Sequence, residues 1–239
     1  MTEVSLPGAR VLFSTRRGGV SEGPYESLNL GILTDDEHDR VMENRRRLAG
    51  AAGLEPAEVA MGWQEHGADI YEWEEPLDAE LAGYASPETA ELPHVDGSFT
   101  SASGVGLLVL VADCLPLALA SEDGQIAMLH CGWRPLAGDI VAKAVEHFDQ
   151  APAAAVGPGI GACCYEVGEE VLERFSDLDG VADGRMLDLR AVAEAKLRAA
   201  GVERVEHVDQ CTSCHPELYF SHRRDNGVTG RQAGLVVRG

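Results

Sequence analysis

One apolar run, VGLLVLVA at residues 105–112, constrains the fold more than any other segment of the chain. Its first seven residues are continuously apolar, which is typical of a strand buried on both faces. The turn-forming string SEDGQ follows at residues 121–125, and further short strands are predicted at 126–129, 153–156 and 235–237. The sequence therefore predicts a fold built around buried strands.

Three segments have the periodicity of helices. Residues 37–52 place Val41, Leu48 and Ala52 on one face, and residues 188–201 end at a glycine, as helices often do. Residues 136–148 form the third predicted helix. The polar, proline-bounded string SPETAELP at residues 86–93 is expected to be a surface loop. Strands and helices that do not alternate strictly predict an α+β fold.

The strongly acidic charge excludes one class of partner. The chain has 19 lysines and arginines against 40 aspartates and glutamates, a net charge of −21 at pH 7. Such a surface repels phosphate backbones, so we predict no nucleic-acid binding. An anionic substrate would therefore need a local cationic pocket.

We predict neither a membrane span nor an export signal. The longest apolar stretch meets Asp113 and Pro116, and MTEVSLPGAR lacks the basic and apolar regions of a signal peptide. The six cysteines are accordingly expected to be reduced thiols or metal ligands in a cytoplasmic protein.

Three residues lie in strings that mark a functional site: His66 in WQEHGADI, Cys114 in VADCLPLA and His130 in MLHCGWRP. Two imidazoles and one thiolate can hold a tetrahedral metal with its fourth position open, as in a catalytic zinc site. The alternatives are a buried core thiol and a Cys114 nucleophile activated by a histidine. Asp113 would raise the pKa of that nucleophile unless its side chain points away, so we favour zinc.

The histidine content argues against a multicopper site. Such enzymes need many histidines, largely in His-x-His pairs, and none of the eight histidines here is separated from another by a single residue. A second candidate metal site lies in HVDQCTSCHPE, which contains His207, Cys211, Cys214 and His215. The sequence shows a single Cys-x-x-Cys pair without a distant partner pair, which is a weak signal for a metal site. We therefore favour the interpretation that these are small thiols packed under a loop.

Arginines are concentrated in a few segments of this acidic chain. FSTRRGGVSEGPYESLNLG contains Arg16 and Arg17, ENRRRL contains Arg45–Arg47, and SHRRDNGVTGR ends at Arg231. Arginines beside glycine-rich loops suit bidentate recognition of phosphate or carboxylate.

The ordered motifs resemble the laccase-domain, YfiH-like family. They are FSTRRGGVSEGPYESLNLG, ENRRRLAGAAGL, WQEHGADI, VADCLPL, LHCGWRPLAGDIV, VGPGIGACCYEVGEEV and FSHRRDNGVTGRQA. The resemblance implies one domain over residues 1–239, folded as a four-layer αββα sandwich with a large mixed β-sheet. It also implies one zinc ion bound by His66, Cys114 and His130, which would be the catalytic residues.

The resemblance further implies purine nucleoside phosphorylase chemistry on adenosine, inosine, guanosine and methylthioadenosine, with adenosine deaminase activity. The substrates would be small nucleosides and phosphate, and the chain a monomer or homodimer. Asp113 or Glu166 would move a proton. The predicted substrate-binding residues are Arg16, Asn44, Arg45, Asp113, Arg134, Tyr165, Glu166, His222 and Arg223.

Three residues depart from the family pattern and put substrate preference in doubt. Glu65 stands beside a ligand where an apolar residue is usual, and Cys131 and Pro135 are expected to alter the pocket wall. Alternative functions are an editing hydrolase of peptidoglycan precursors, a copper-dependent polyphenol oxidase and a non-enzymatic scaffold.

Overall fold

Two mixed β-sheets form the centre of the computed structural model, which describes residues 1–74, 77, 84–85 and 92–239. The five-stranded sheet contains, from edge to edge, β1 (Thr2–Leu6), β2 (Ala9–Phe13), β13 (Gln232–Arg238), β6 (Gly106–Val111) and β3 (Val59–Ala60). The six-stranded sheet contains β12 (Val205–His207), β9 (Ala153–Val156), β7 (Leu115–Ala120), β8 (Ile126–Cys131), β5 (Gly97–Thr100) and β4 (Ile70–Glu72). A separate hairpin pairs β10 (Ala182–Asp183) with β11 (Met186–Leu187).

Helices cover the outer faces of both sheets. The α-helices are α1 (His38–Ala52), α2 (Trp133–Ala137), α3 (Ile140–Val145), α4 (Glu169–Leu172) and α5 (Leu189–Ala199). Short 3-10 helices occupy Gly23–Tyr25, Pro56–Glu58 and Glu173–Phe175. Across the described ranges, no helix is long and apolar enough to cross a membrane.

Three apolar clusters hold four layers together. Leu48 of α1 packs with Leu12 and Leu235 on the outer face of the five-stranded sheet. Residues such as Val109 and Met128 fill the space between the two sheets. A third cluster joins the outer face of the six-stranded sheet to α2, α3 and α5. This cluster includes the buried residues 136, 140, 192 and 197. The predicted α+β sandwich of four layers is therefore confirmed, although its strands divide between two large mixed sheets.

The predicted strands are present, but the other strands of the two large sheets were not predicted. Strands β6, β8, β9 and β13 cover the predicted positions, and β8 extends to Cys131. One of these is the buried strand β7, which lies between β8 and β9 in the sheet. Pro116 was interpreted as an interruption, yet it lies inside β7 opposite His130, and its carbonyl accepts a hydrogen bond from Gly157.

The predicted helix over residues 136–148 is wrong in its bounds. The helical segment begins earlier, at Trp133, and is broken between Ala137 and Ile140. Asp139 adopts a left-handed conformation with φ of 60°, which no continuous α-helix allows. Helices α1 and α5 match their predictions, whereas most of the predicted loop at 86–93 lies outside the described residues.

Candidate functional site

Strand pairing brings two of the three predicted ligands together. Strands β7 and β8 are antiparallel neighbours, with Leu115 opposite Cys131 and Pro116 opposite His130. Cys114 immediately precedes β7. His130 was predicted to follow the end of its strand, but it lies within β8. His66 comes from the loop between β3 and β4, where its φ of 61° is left-handed.

The three ligand atoms lie close enough to share one metal ion. They are all within 4.8 Å of one another, and Cys114 Sγ is 4.0 Å from His66 Nε2. Zinc bond lengths imply about 3.5 Å between nitrogen and sulfur ligands of a tetrahedral site. Small shifts would therefore close this set around zinc. His66 is exposed and His130 is buried, so the centre has one side open to solvent.

Asp96 fixes the orientation of His130 and was missed in the sequence. Its Oδ1 lies 2.6 Å from His130 Nδ1, and its Oδ2 accepts hydrogen bonds from the backbone N–H groups of Glu65 and Gly67 at 3.0 and 2.7 Å. Burial opposes the ionisation of Asp96, but these hydrogen bonds and the charge of His130 lower its pKa below the usual value. A carboxylate on one imidazole nitrogen leaves the other for a metal. Only the string HVDG, which carries no distinctive signal, marks this residue in the sequence.

Cys114 is a thiolate at neutral pH in the metal-free centre. Burial opposes its ionisation, but the imidazoles of His130 and His66 outweigh burial and lower the pKa of Cys114 to about 6. Burial also disfavours the charge on His130, but Cys114 and Asp96 raise the pKa of His130 to about 9. The centre is therefore a thiolate beside an imidazolium, and a metal cation would replace the proton of His130.

Asp113 holds the turn before Cys114 in place. Its φ is 92°, its Oδ1 accepts a hydrogen bond from Thr212 Oγ1 at 2.6 Å, and its Oδ2 accepts one from the Arg223 backbone N–H at 2.7 Å. Because both oxygens are engaged, the structure does not support a proton-shuttle role for Asp113. Glu166, unlike Asp113, does not line the cavity, and its carboxylate pairs with Arg185 at 3.1 Å.

A cavity of about 480 Å³ opens onto the three ligands, a volume typical of small-molecule sites. Aromatic rings and cations line it together. The Arg134 guanidinium lies 4.5 Å from the ring of Trp133, and the Arg223 guanidinium lies 5.2 Å from the ring of Tyr165. The predicted residues that line the cavity are His66, Cys114, His130, Arg45, Asp113, Arg134, Tyr165, His222 and Arg223.

The cavity also contains residues that were not predicted to bind substrate. Arg231 lines it with Trp63 and Gln64. Burial lowers the pKa of Arg231, which nearby Asp113 and Cys114 partly offset. Several cations therefore gather in one cavity of a chain whose net charge is −21, which is the local cationic pocket that an anionic ligand needs.

Three predicted binding residues serve the fold. Arg16 donates to the carbonyls of Glu26 and Pro216 at 2.6 and 3.0 Å, and it does not line the cavity. Asn44 is fully buried and donates to the carbonyl of Asn29 at 2.9 Å. Arg45 reaches the cavity wall, but its guanidinium donates to the carbonyls of Leu30 and Tyr84 at 3.0 Å each.

The three departures from the family pattern lie away from the reacting space. The carboxylate of Glu65 pairs with exposed His94 at 3.0 Å. Cys131 is buried in the core beneath the six-stranded sheet, and Pro135 lies inside α2. Neither Cys131 nor Pro135 lines the cavity, so the expected change of its wall is wrong.

The fold and the centre together define an α+β protein of two packed sheets, with a His₂Cys metal-type centre at the end of one strand pair. The chain belongs to the family described as multi-copper polyphenol oxidoreductase laccase, whose model matches residues 10–239. The resemblance to laccase-domain, YfiH-like proteins is thereby confirmed.

Relatives cover nearly the whole chain. Purine nucleoside phosphorylase YlmD of Geobacillus stearothermophilus is 36% identical over 254 residues, covering 97% of this chain and 90% of that protein. Purine nucleoside phosphorylase YfiH of Escherichia coli is 36% identical over 243 residues, covering 96% and 93%. The crystal structure of the Geobacillus YlmD has a TM-score of 0.89 at 35% identity and covers 97% of this chain and 92% of its own.

Proposed function

We propose that this chain is a zinc-dependent purine nucleoside phosphorylase that acts on adenosine, inosine, guanosine and methylthioadenosine and also deaminates adenosine. The observation that carries the proposal is the cluster of His66, Cys114 and His130 inside a cavity that also holds arginines and aromatic rings. The names of the relatives support the phosphorylase part of the proposal. The proposed partners are nucleosides and phosphate, and the proposed state is a cytoplasmic monomer or homodimer.

Zinc suits the donor set better than copper. His66, Cys114 and His130 would hold the ion, which would supply Lewis-acid chemistry when bound. Of the eight histidines, only these two belong to a potential metal group within the described residues. A multicopper centre needs many more, so the family description alone does not favour copper here.

The cavity offers groups suited to both substrates. Trp63, Trp133 and Tyr165 present flat, largely apolar surfaces suited to stacking against a purine. Arg134, Arg223 and His222 can orient phosphate for attack at the ribose C1′. The positive charge of the two arginines would also stabilise the departing base as an anion.

Tyr165 is the proposed hydrogen-bond donor to the departing base. Burial, together with the nearby charge of Cys114, raises the pKa of its phenol to about 12. The phenol therefore stays protonated at neutral pH and can donate to negative charge that develops on a purine nitrogen.

The test is turnover of adenosine with phosphate by zinc-quantified protein, followed by chromatography of the products. We expect adenine and ribose 1-phosphate from phosphorolysis, inosine from deamination, and loss of both in Cys114→Ala and His130→Ala. His147→Ala is the matched control, because exposed His147 lies beside the Phe99 ring outside the cavity.

Two outcomes would replace the proposal. If the fully zinc-loaded protein forms no product from nucleosides but hydrolyses a muramyl-serine precursor, the peptidoglycan-editing alternative is correct. If protein purified without added metal contains copper and oxidises phenols, the polyphenol oxidase alternative is correct.

A further inference from the structure

A second group of thiols lies outside the cavity. Cys163 and Cys164 come from the loop between β9 and α4, and Cys211 and Cys214 come from the loop after β12. Their sulfur atoms all lie within 4.8 Å of one another, with Cys214 Sγ at 3.5 Å from Cys163 Sγ and 3.4 Å from Cys164 Sγ. The four thiols are unbonded to each other, and none lines the cavity.

Fold geometry supplies the partner pair that the Cys-x-x-Cys string lacks in the sequence. Gly159 and Cys211 form a parallel β-bridge, and the Thr212 N–H donates to the Gly159 carbonyl at 3.0 Å. The guanidinium of Arg190 donates to the carbonyls of Gly159 and Gln210 at 3.1 and 2.5 Å. Both loops are therefore fixed at the same end of the sheet.

From this geometry we propose that Cys163, Cys164, Cys211 and Cys214 form a closed, structural zinc site, distinct from the centre at His66. Zinc–sulfur bonds in a tetrahedral tetrathiolate place the sulfur atoms about 3.8 Å apart, close to the separations here. A cluster of several irons would hold the sulfurs farther apart, because irons and sulfides occupy the space between them.

Two neighbouring groups suit such a site. The Gly161 backbone N–H donates to Cys211 Sγ at 3.2 Å, a contact that stabilises a thiolate. Four thiolates around Zn²⁺ leave a net negative charge, and the Arg190 side chain is the cation that joins the same two loops.

The proposed ion would fix one wall of the cavity. Thr212, between two of the cysteines, donates to Asp113 Oδ1 at 2.6 Å, next to the ligand Cys114. On the other loop, Tyr165 directly follows Cys164 and lines the cavity beneath Arg223. The tetrathiolate would therefore act as a structural clamp behind the candidate active site, whatever substrate that site takes.

Metal content of the purified protein, kept under reductant, tests this inference. We expect two zinc ions per wild-type chain, one in Cys114→Ser and one in the Cys211→Ser/Cys214→Ser double variant. Ser213→Ala is the matched control from the same loop and keeps two. Counting metal separates this inference from the proposed function, because nucleoside turnover is not the readout.

A second measurement leaves all four cysteines of the proposed site unchanged. Cobalt substituted into Cys114→Ser should give the intense charge-transfer bands of a tetrahedral tetrathiolate. A wild-type chain with one metal ion that disappears in Cys114→Ser would overturn the proposal. Iron bound by these cysteines, or a disulfide between two of them in protein kept under reductant, would overturn it equally.

Discussion

Asp96 orients the candidate metal centre through hydrogen bonds from His130 and from two backbone N–H groups. Asp96→Asn places an amide NH₂ group among these donors, so at least one of the hydrogen bonds is lost. We expect zinc affinity to fall by about 10-fold to 100-fold. Competition with a chelating dye measures the affinity.

Glu65→Gln is the matched control for Asp96→Asn. Glu65 stands beside the ligand His66 in the sequence, but its carboxylate pairs with exposed His94. We expect its zinc affinity to stay within about twofold of wild type, as for other exposed ion pairs. Equal losses in the two variants would show that overall negative charge, and not the orientation of His130, determines affinity.

The ionisation of Cys114 predicts the pH dependence of its alkylation in metal-free protein. Because the pKa of Cys114 is lowered to about 6, its thiolate persists at neutral pH and is lost as the pH falls through that value. We expect the rate of iodoacetamide labelling of the Cys114 peptide, followed by mass spectrometry, to reach half of its maximum near that pH. His130→Ala removes a stabilising charge and should move the midpoint upward, and a wild-type midpoint near that of a free thiol would contradict the account.

Sequence patterns mark the candidate ligand residues more readily than the residues that support them. His66, Cys114 and His130 stand in distinctive strings, whereas Asp96 has no local signal because its role depends on a contact with a residue in another strand. Arg16 and Asn44 illustrate the opposite error. Their segments suit anion binding, but in the fold their side chains donate to backbone carbonyls.

The end of β8 and the start of α2 meet at Gly132, where the centre leaves no room for a side chain. A Cβ atom there would lie 2.9 Å from Cys114 Sγ and 3.4 Å from His66 Cδ2. Gly132→Ala should therefore displace the thiolate and lower zinc affinity by at least about tenfold, as other changes to the support of metal ligands do. Gly50→Ala is the control, because nothing lies within 4 Å of the added Cβ in α1; unchanged affinity in Gly132→Ala would contradict the geometry.

The break between α2 and α3 depends on the left-handed conformation of Asp139. Glycine adopts this conformation without a steric penalty and alanine does not, so Asp139→Ala should be less stable than Asp139→Gly by about 1 kcal/mol. Both variants lose the ion pair with Lys196 at 2.7 Å, which therefore cancels in the comparison. Urea unfolding measures the difference, and equal stability would mean that the backbone is not strained there.

Elements with uniform patterns were predictable, and elements with mixed signals were not. The apolar run of β6 and the amphipathic α1 match their predictions closely. Strand β7 was missed because Pro116 usually interrupts a strand, and the helix break was missed because Asp139 is not a glycine. Local preference gave way to tertiary contacts at both positions.

At the scale of the whole molecule, a net charge of −21 should make stability depend on salt. Mutual repulsion between carboxylates destabilises the compact state, and added salt screens it. We expect Tm to rise as NaCl is increased from low concentration to about 0.15 M, where the screening length is about 8 Å. KCl should give the same rise, whereas a Tm that falls with salt would mean that attractive ion pairs dominate.

The central claim is that the His66, Cys114 and His130 centre carries purine nucleoside phosphorolysis. Its most direct test is to strip the metal from wild-type and His130→Ala protein, return zinc stepwise, and measure adenine release from adenosine and phosphate at each step. We predict that activity returns with zinc in the wild type and stays absent in His130→Ala. Full turnover by metal-free protein, or by zinc-treated His130→Ala, would contradict the account.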